Sequence, residues 1–98
     1  MPVTVVRYKT KPEHADENQA LVEKVFAELS ADRPDGLRYA TFRLADGVSF
    51  VHVADVDGAN PLFDVEAFKS FTQDIAGRCD EAPVAGEATL VGSYRVFD

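Results

Sequence analysis

Apolar positions recur along this chain with two different periods. Residues 2–9 carry Val3, Val5 and Val6 with Thr4 and Tyr8, β-branched and aromatic side chains that favour an extended strand. Lys11-Pro12 closes it, because proline pushes the preceding residue out of the helical region. Glu13, Asp16 and Glu17 then place negative charge where a helix dipole favours it, and the helix is expected to run to about Asp32. Within it Leu21, Val22, Val25, Phe26 and Leu29 form one apolar stripe at helical spacing. Arg33-Pro34-Asp35-Gly36 ends the helix, since proline and glycine both interrupt its hydrogen bonding.

From Leu37 the period becomes two. Stretches 37–45 and 48–56 read as strands flanking Asp46-Gly47, a strong signal for a two-residue hairpin turn. Counting back from that turn sets Ala45 opposite Val48, after which Phe42 with Val51, Ala40 with Val53 and Arg38 with Asp55 fall on one face. Arg43 with Phe50, Thr41 with His52 and Tyr39 with Ala54 fall on the other. A slip of one residue would exchange the faces, so the assignment rests on the turn. Asp57-Gly58-Ala59-Asn60-Pro61 is a loop by composition. A second helix is expected over 65–78, with Val65, Phe68, Phe71 and Ile75 on one side. Residues 79–83 read as a polar connection, and a last strand over about 86–97 includes Leu90, Val91, Tyr94 and Val96.

Strand, helix, strand, strand, helix, strand, with a right-handed crossover, is the order of the ferredoxin-like βαββαβ sandwich, an α+β fold. Its four-stranded antiparallel sheet carries two helices on one face. Yet Val51 and Val53 point one way from the third strand while Phe50, Ala54 and Val56 point the other, so both faces are apolar. The chain has no third helix for the second face, and another copy packing sheet on sheet is the simplest cover. A homodimer is therefore expected.

Composition narrows the partners. The chain has 98 residues, ten basic against seventeen acidic, for a net charge of −7. About 100 residues is a common size for one domain, and residues 1–98 are read as a single one. The acidity disfavours phosphate backbones and anionic lipid surfaces, so neither nucleic acid nor a membrane is expected. No apolar run approaches the roughly 18 residues that span a bilayer. Cys79 is the single cysteine, and no basic stretch with a long apolar core opens the chain, which together point to the cytoplasm.

The opening Val3-Thr4-Val5-Val6-Arg7-Tyr8-Lys9-Thr10-Lys11-Pro12, followed by an acidic amphipathic helix, resembles the dimeric α/β-barrel superfamily, in particular the antibiotic biosynthesis monooxygenase-like domains. That resemblance implies two-fold dimers with their open sheet faces together and one barrel-shaped cavity per subunit. It also implies activities that include cofactor-independent oxygenation of aromatic or quinol compounds and haem degradation. Where many such domains carry Glu-x-Trp, this chain has Ala54-Asp55-Val56 and no tryptophan. Haem-degrading relatives need an asparagine on the first strand and a histidine on the second helix. Val6 takes the first position and the 65–78 stretch has no histidine, so the haem chemistry does not carry over.

His52 is the leading candidate for chemistry. The register places it beside Tyr39, Thr41, Phe50 and Arg43, a titratable imidazole among a phenol, a hydroxyl and apolar walls, as in small-molecule pockets. An imidazole there would take a phenolic proton and leave an anion able to react with dioxygen, with neither metal nor cofactor. The alternative is a histidine hydrogen-bonded in the dimer interface and filling space between sheets. Tyr8, Tyr39 and Tyr94 would position an aromatic ligand or serve simply as strand and interface residues. Arg7 and Arg95, on the expected first and last strands, would bind an oxyanion, or pair with acids such as Glu87. His14 sits among Glu13, Asp16 and Glu17, but its spacing matches no metal-ligand pair, and Cys79 at a helix C-terminus is not set up as a nucleophile. The leading function is a cofactor-independent monooxygenase-like enzyme with His52 as base and Tyr39, Thr41, Phe50, Tyr8 and Arg43 around the substrate. The alternative is a non-catalytic small-molecule-binding or structural dimer of the same fold.

Overall fold

A computed structural model describes residues 3–96. Its elements are β1 (Val3–Thr10), a 3-10 turn over Pro12–His14, α1 (Ala15–Asp32), β2 (Leu37–Arg43), β3 (Ser49–Val56), a 3-10 turn over Pro61–Asp64, α2 (Glu66–Gln73), α3 (Ile75–Arg78) and β4 (Cys79–Ala88). The strands form one antiparallel sheet in the order β2-β3-β1-β4, with the helices on one face: the ferredoxin-like arrangement. α1 ends where expected, with Arg33 in the left-handed region and its N–H bonded to Leu29 O at 2.7 Å. Tyr8, Val22, Val25, Phe50, Leu62, Val65 and Phe71 make the buried core between sheet and helices.

The hairpin register is the one counted from Asp46-Gly47, from Arg38 opposite Asp55 to Arg43 opposite Phe50. The loop itself is wider than two residues. Leu44 N–H donates to Ser49 O at 2.8 Å and Gly47 N–H to Leu44 O at 3.0 Å. The Asp46 carboxylate accepts from Val48 N–H at 2.9 Å and from Ser49 N–H at 2.8 Å. Widening the loop by one residue on each side leaves its centre in place, which is why the pairing survives. The Ser49 hydroxyl, then the Val48 and Ser49 amides, pull the Asp46 carboxyl down to about 2.

Two expectations are corrected. The second helix is interrupted at Asp74, so the 65–78 stretch comprises α2 and α3 rather than one rod. The last strand runs over Cys79–Ala88, not 86–97. Residues 79–83 looked like a connection because they are polar. An edge strand, however, is held by backbone bonds to its single neighbour and needs no apolar alternation. Pro83 falls where β4 has one extra residue between the Arg7–Val84 and Lys9–Glu81 pairs, an irregularity in which a missing N–H costs little. Leu90, Val91, Tyr94 and Val96 lie beyond the sheet and are exposed. Phe97 lies outside the described residues.

Helix α2 roofs the sheet and is held at both ends by charge. The Glu28 carboxylate on α1 accepts from the N–H groups of Glu66 at 3.1 Å and Ala67 at 3.0 Å. Arg78 Nη2 donates to Phe71 O at 2.6 Å. An acid at the N-terminus and a base at the C-terminus both suit the helix dipole and satisfy end groups that the helix leaves unpaired.

Two glycines test this chain path. Gly36 and Gly47 both have positive φ (76° and 79°), but a Cβ at Gly36 would lie 3.0 Å from Asp57 O whereas one at Gly47 meets nothing. Gly47→Ala should therefore cost about 1 kcal/mol and Gly36→Ala about 2 kcal/mol or more in urea unfolding. Equal costs would contradict the close approach at Gly36.

Candidate functional site

His52 sits mid-way along β3, a central strand, and its side chain points under the helices with 5% of its surface exposed. Thr41 lies directly opposite on β2, Tyr39 two residues along the same face, and Tyr8 on the other side on β1. Tyr8 Oη is 2.7 Å from His52 Nε2, Tyr39 Oη is 2.6 Å from Nδ1, and Thr41 Oγ1 is 3.0 Å from Nδ1. The sheet pleat thus converges three hydroxyls on one imidazole. His52 is not the spacer between two sheets that the interface alternative required, since helices cover this face.

Two further buried polar residues extend the relay. Asn18 Nδ2 on α1 donates to Tyr8 Oη at 2.8 Å, and Arg78 Nε donates to Asn18 Oδ1 at 3.2 Å. Asn18 is fully buried and Arg78 nearly so, and the guanidinium also lies 5.5 Å over the Phe71 ring. Neither residue was singled out from the sequence, although spacing marks both. Asn18 precedes Val22 and Val25 on the buried stripe of α1, and Arg78 continues the run Phe71, Ile75. A polar residue on an apolar stripe was the available signal.

Burial sets the protonation states. Desolvation of the charged form lowers the His52 pKa to about 4, so the ring is neutral near pH 7. Burial pushes the Tyr39 phenol up to about 12, against a smaller lowering by Thr41. Tyr8 is raised further by burial, opposed by the hydrogen bond from Asn18. Both phenols are neutral donors and acceptors.

The relay forms one wall of a cavity of about 320 Å³ between sheet and roof. Val6, Tyr8, Tyr39, His52, Ala54 and Val56 form its floor. Leu62, Phe63, Phe68, Phe71 and Ile75 form its roof, and Thr4, Asn60, Thr72 and Pro83 complete the wall. Among the described residues, no Lys, Arg, Asp or Glu lines it. Few polar groups converging on an apolar space is the usual character of a small-molecule site.

The other candidates lie elsewhere. Phe50 is 1% exposed and stacks on Tyr8, centroids 5.5 Å apart and planes 11° from parallel, supporting the relay from the core. Arg43 binds Asp16 at 3.0 Å, Gln19 at 2.7 Å and Gly47 O at 2.9 Å, and lines a separate groove with Thr41, Phe26 and Phe50. Thr41 reaches His52 from that groove. Arg95 is not on a strand and lies over Tyr94, which is exposed and follows the end of β4, while Arg7 on β1 pairs with Val84. His14 bonds Glu17 at 2.9 Å, and among the described residues no cluster of three or more His, Cys, Asp or Glu is placed to hold a metal ion. Burial raises the Cys79 thiol.

Solved structures of the same architecture exist. An antibiotic biosynthesis monooxygenase crystal structure aligns over 94% of this chain and 100% of its own, with TM-score 0.69 and 19% identity. The chain shares its fold. A point mutant of SnoaB, a cofactor-independent oxygenase from Streptomyces nogalater, aligns over 96% of both chains with TM-score 0.66 and 15% identity. A Nitrosomonas europaea protein of unknown function aligns with TM-score 0.70 and 14% identity over 95% of this chain and 91% of that one. No family model matches the sequence, and no curated protein matches it. Among the described residues, no helix is long and apolar enough to cross a membrane.

The depressed His52 pKa has a measurable consequence. Between 6.5 and about 4 the unfolded chain takes up a proton that the folded chain refuses, so stability falls as pH falls through that window. The loss reaches about 2 kcal/mol by pH 5. Urea unfolding of His52→Gln at pH 7 and pH 5 should show the variant losing about 2 kcal/mol less than the wild type. Parallel losses would place the histidine in water.

Proposed function

We propose that this chain is a small cofactor-independent oxygenase acting on an uncharged aromatic compound of quinol type held in the 320 Å³ cavity. The observation that carries the reading is the apolar cavity ending on the Tyr8–His52–Tyr39 relay. The fold shared with SnoaB, a cofactor-independent oxygenase, supports it.

In this reading His52 is the proton acceptor, but not by direct contact. Tyr8 stands at Nε2, so the substrate hydroxyl gives its proton to Tyr8 Oη while Tyr8 passes its own to His52 Nε2. The resulting imidazolium is stabilised at Nδ1 by Tyr39 and Thr41. The electron-rich ring carbon of the substrate anion bonds to dioxygen and the adduct takes a proton to become a hydroperoxide. Loss of water leaves a carbonyl, with one oxygen atom in the product and one in water. Dioxygen is the sole oxidant. Phe68, Phe71 and Leu62 keep bulk water from the anion.

The active species in this proposal is a homodimer. Val5, Phe42, Val51 and Val53 share the sheet face opposite the helices and are only partly buried in one copy. Sheet-on-sheet pairing would cover them, and light scattering at micromolar concentration should give twice the chain mass; a folded monomer would remove this part.

A second reading has its own support. With a pKa near 4, His52 is a weak base, which suits a non-catalytic small-molecule-binding dimer. Oxygen uptake with a panel of quinols and polyphenols separates the two. Turnover should fall by about a hundredfold or more in His52→Ala with the dimer intact. Unchanged turnover in that variant would eliminate the base, and a ligand-induced thermal shift without oxygen uptake would favour the binding module.

A further inference from the structure

The relay has a direction, and residues outside the cavity set it. An arginine N–H can only donate, so Arg78 Nε fixes Asn18 Oδ1 towards itself and leaves the amide NH2 for Tyr8 Oη. Tyr8, already accepting from Asn18, has one hydrogen to place, and His52 Nε2 at 2.7 Å is its acceptor. The ring proton then belongs on Nδ1, where it donates to Tyr39 Oη at 2.6 Å and, more weakly, to Thr41 at 3.0 Å. The opposite tautomer would point Nε2–H at Tyr8 and leave its hydroxyl hydrogen with no protein acceptor among its hydrogen-bond partners, His52 and Asn18. With the proton on Nδ1, Tyr39 keeps its own hydrogen for a ligand oxygen, and both tyrosines line the cavity.

We propose that Arg78 and Asn18 are positioning residues that hold the His52 proton on Nδ1, so that the cavity offers Tyr8 as hydrogen-bond acceptor and Tyr39 as donor. The complementary ligand is an uncharged aromatic molecule carrying both a hydroxyl group, read by Tyr8, and a carbonyl oxygen, read by Tyr39. The absence of any charged side chain from the lining, among the described residues, disfavours carboxylates and phosphates. This ligand class deepens the oxygenase reading and rests on it, whereas the proton arrangement does not.

Long-range ¹H–¹⁵N correlation spectra of the labelled chain report the tautomer directly. His14, the other of the two histidines, is half-exposed outside the relay and serves as an internal reference. Wild type should show Nδ1 protonated and Nε2 bare at His52. Asn18→Asp keeps the shape but puts an acceptor before the Tyr8 hydroxyl, reversing the chain of donors, and the His52 proton should move to Nε2. A wild-type proton on Nε2, or identical spectra for the two proteins, overturns the assignment. For the ligand, 1,4-naphthoquinone and 1-naphthol carry the two oxygen functions separately. Tyr39→Phe should weaken the quinone about tenfold and the naphthol by less than about twofold. Equal losses, or no binding of either probe to wild type, overturn the ligand class. Oxygen uptake decides the reaction alone: its absence beside an Nδ1–H signal supports this proton arrangement and overturns the oxygenase reading.

Discussion

The hydroxyl of Tyr8 lies 2.7 Å from His52 Nε2 and 2.8 Å from Asn18 Nδ2 on a residue only 4% exposed, where bulk solvent offers no substitute partner. Its ring meanwhile stacks on Phe50 and packs at 6.3 Å from Phe71. One side chain therefore belongs to the apolar core by its ring and to the polar relay by its oxygen. Strand β1 cannot shift register without breaking both, which makes the core and the relay a single cooperative unit.

Such a unit tolerates a buried cation on unusual terms. Arg78 meets no carboxylate among the described residues; its partners are the Asn18 amide oxygen, the Phe71 carbonyl and the face of the Phe71 ring. Guanidinium keeps its charge where lysine would surrender it, and charge-assisted bonds to neutral acceptors offset part of the desolvation. Because no anion cancels it, its field reaches Tyr8 and opposes the effect of burial on that phenol. Among the described residues no anion neighbours His52 to raise its basicity, and burial lowers it.

Much of this was legible in the residues. The hairpin register followed from Asp46-Gly47 because a loop can widen about its centre without moving the strands. That register alone brings Tyr39 and Thr41 to His52. The stripes of α1 and α2 were visible as periods of 3.6. What stayed hidden was what lacks a side-chain period: β4 is an exposed edge held by its backbone, and the break at Asp74 carries neither proline nor glycine. Arg43 and Phe50 share a face with His52, yet strand length puts them towards the far end of the sheet, a separation that face alternation does not encode. Asn18 and Arg78 were hidden for the opposite reason, since their positions read as core and only their chemistry reads as surface.

The two charges that hold α2 also determine how its shelter fails. Eight residues are too few to remain helical unaided, so this segment persists only while its ends are tied. Of the two ties, the Glu66–Glu28 bond is exposed and the Ala67–Glu28 bond half-buried, whereas the tie at Arg78 is buried. The end of α2 that opens first is therefore the Glu66 end, and its tie is not one of the hydrogen bonds in the chain that runs from Arg78 through Asn18 and Tyr8 to the imidazole.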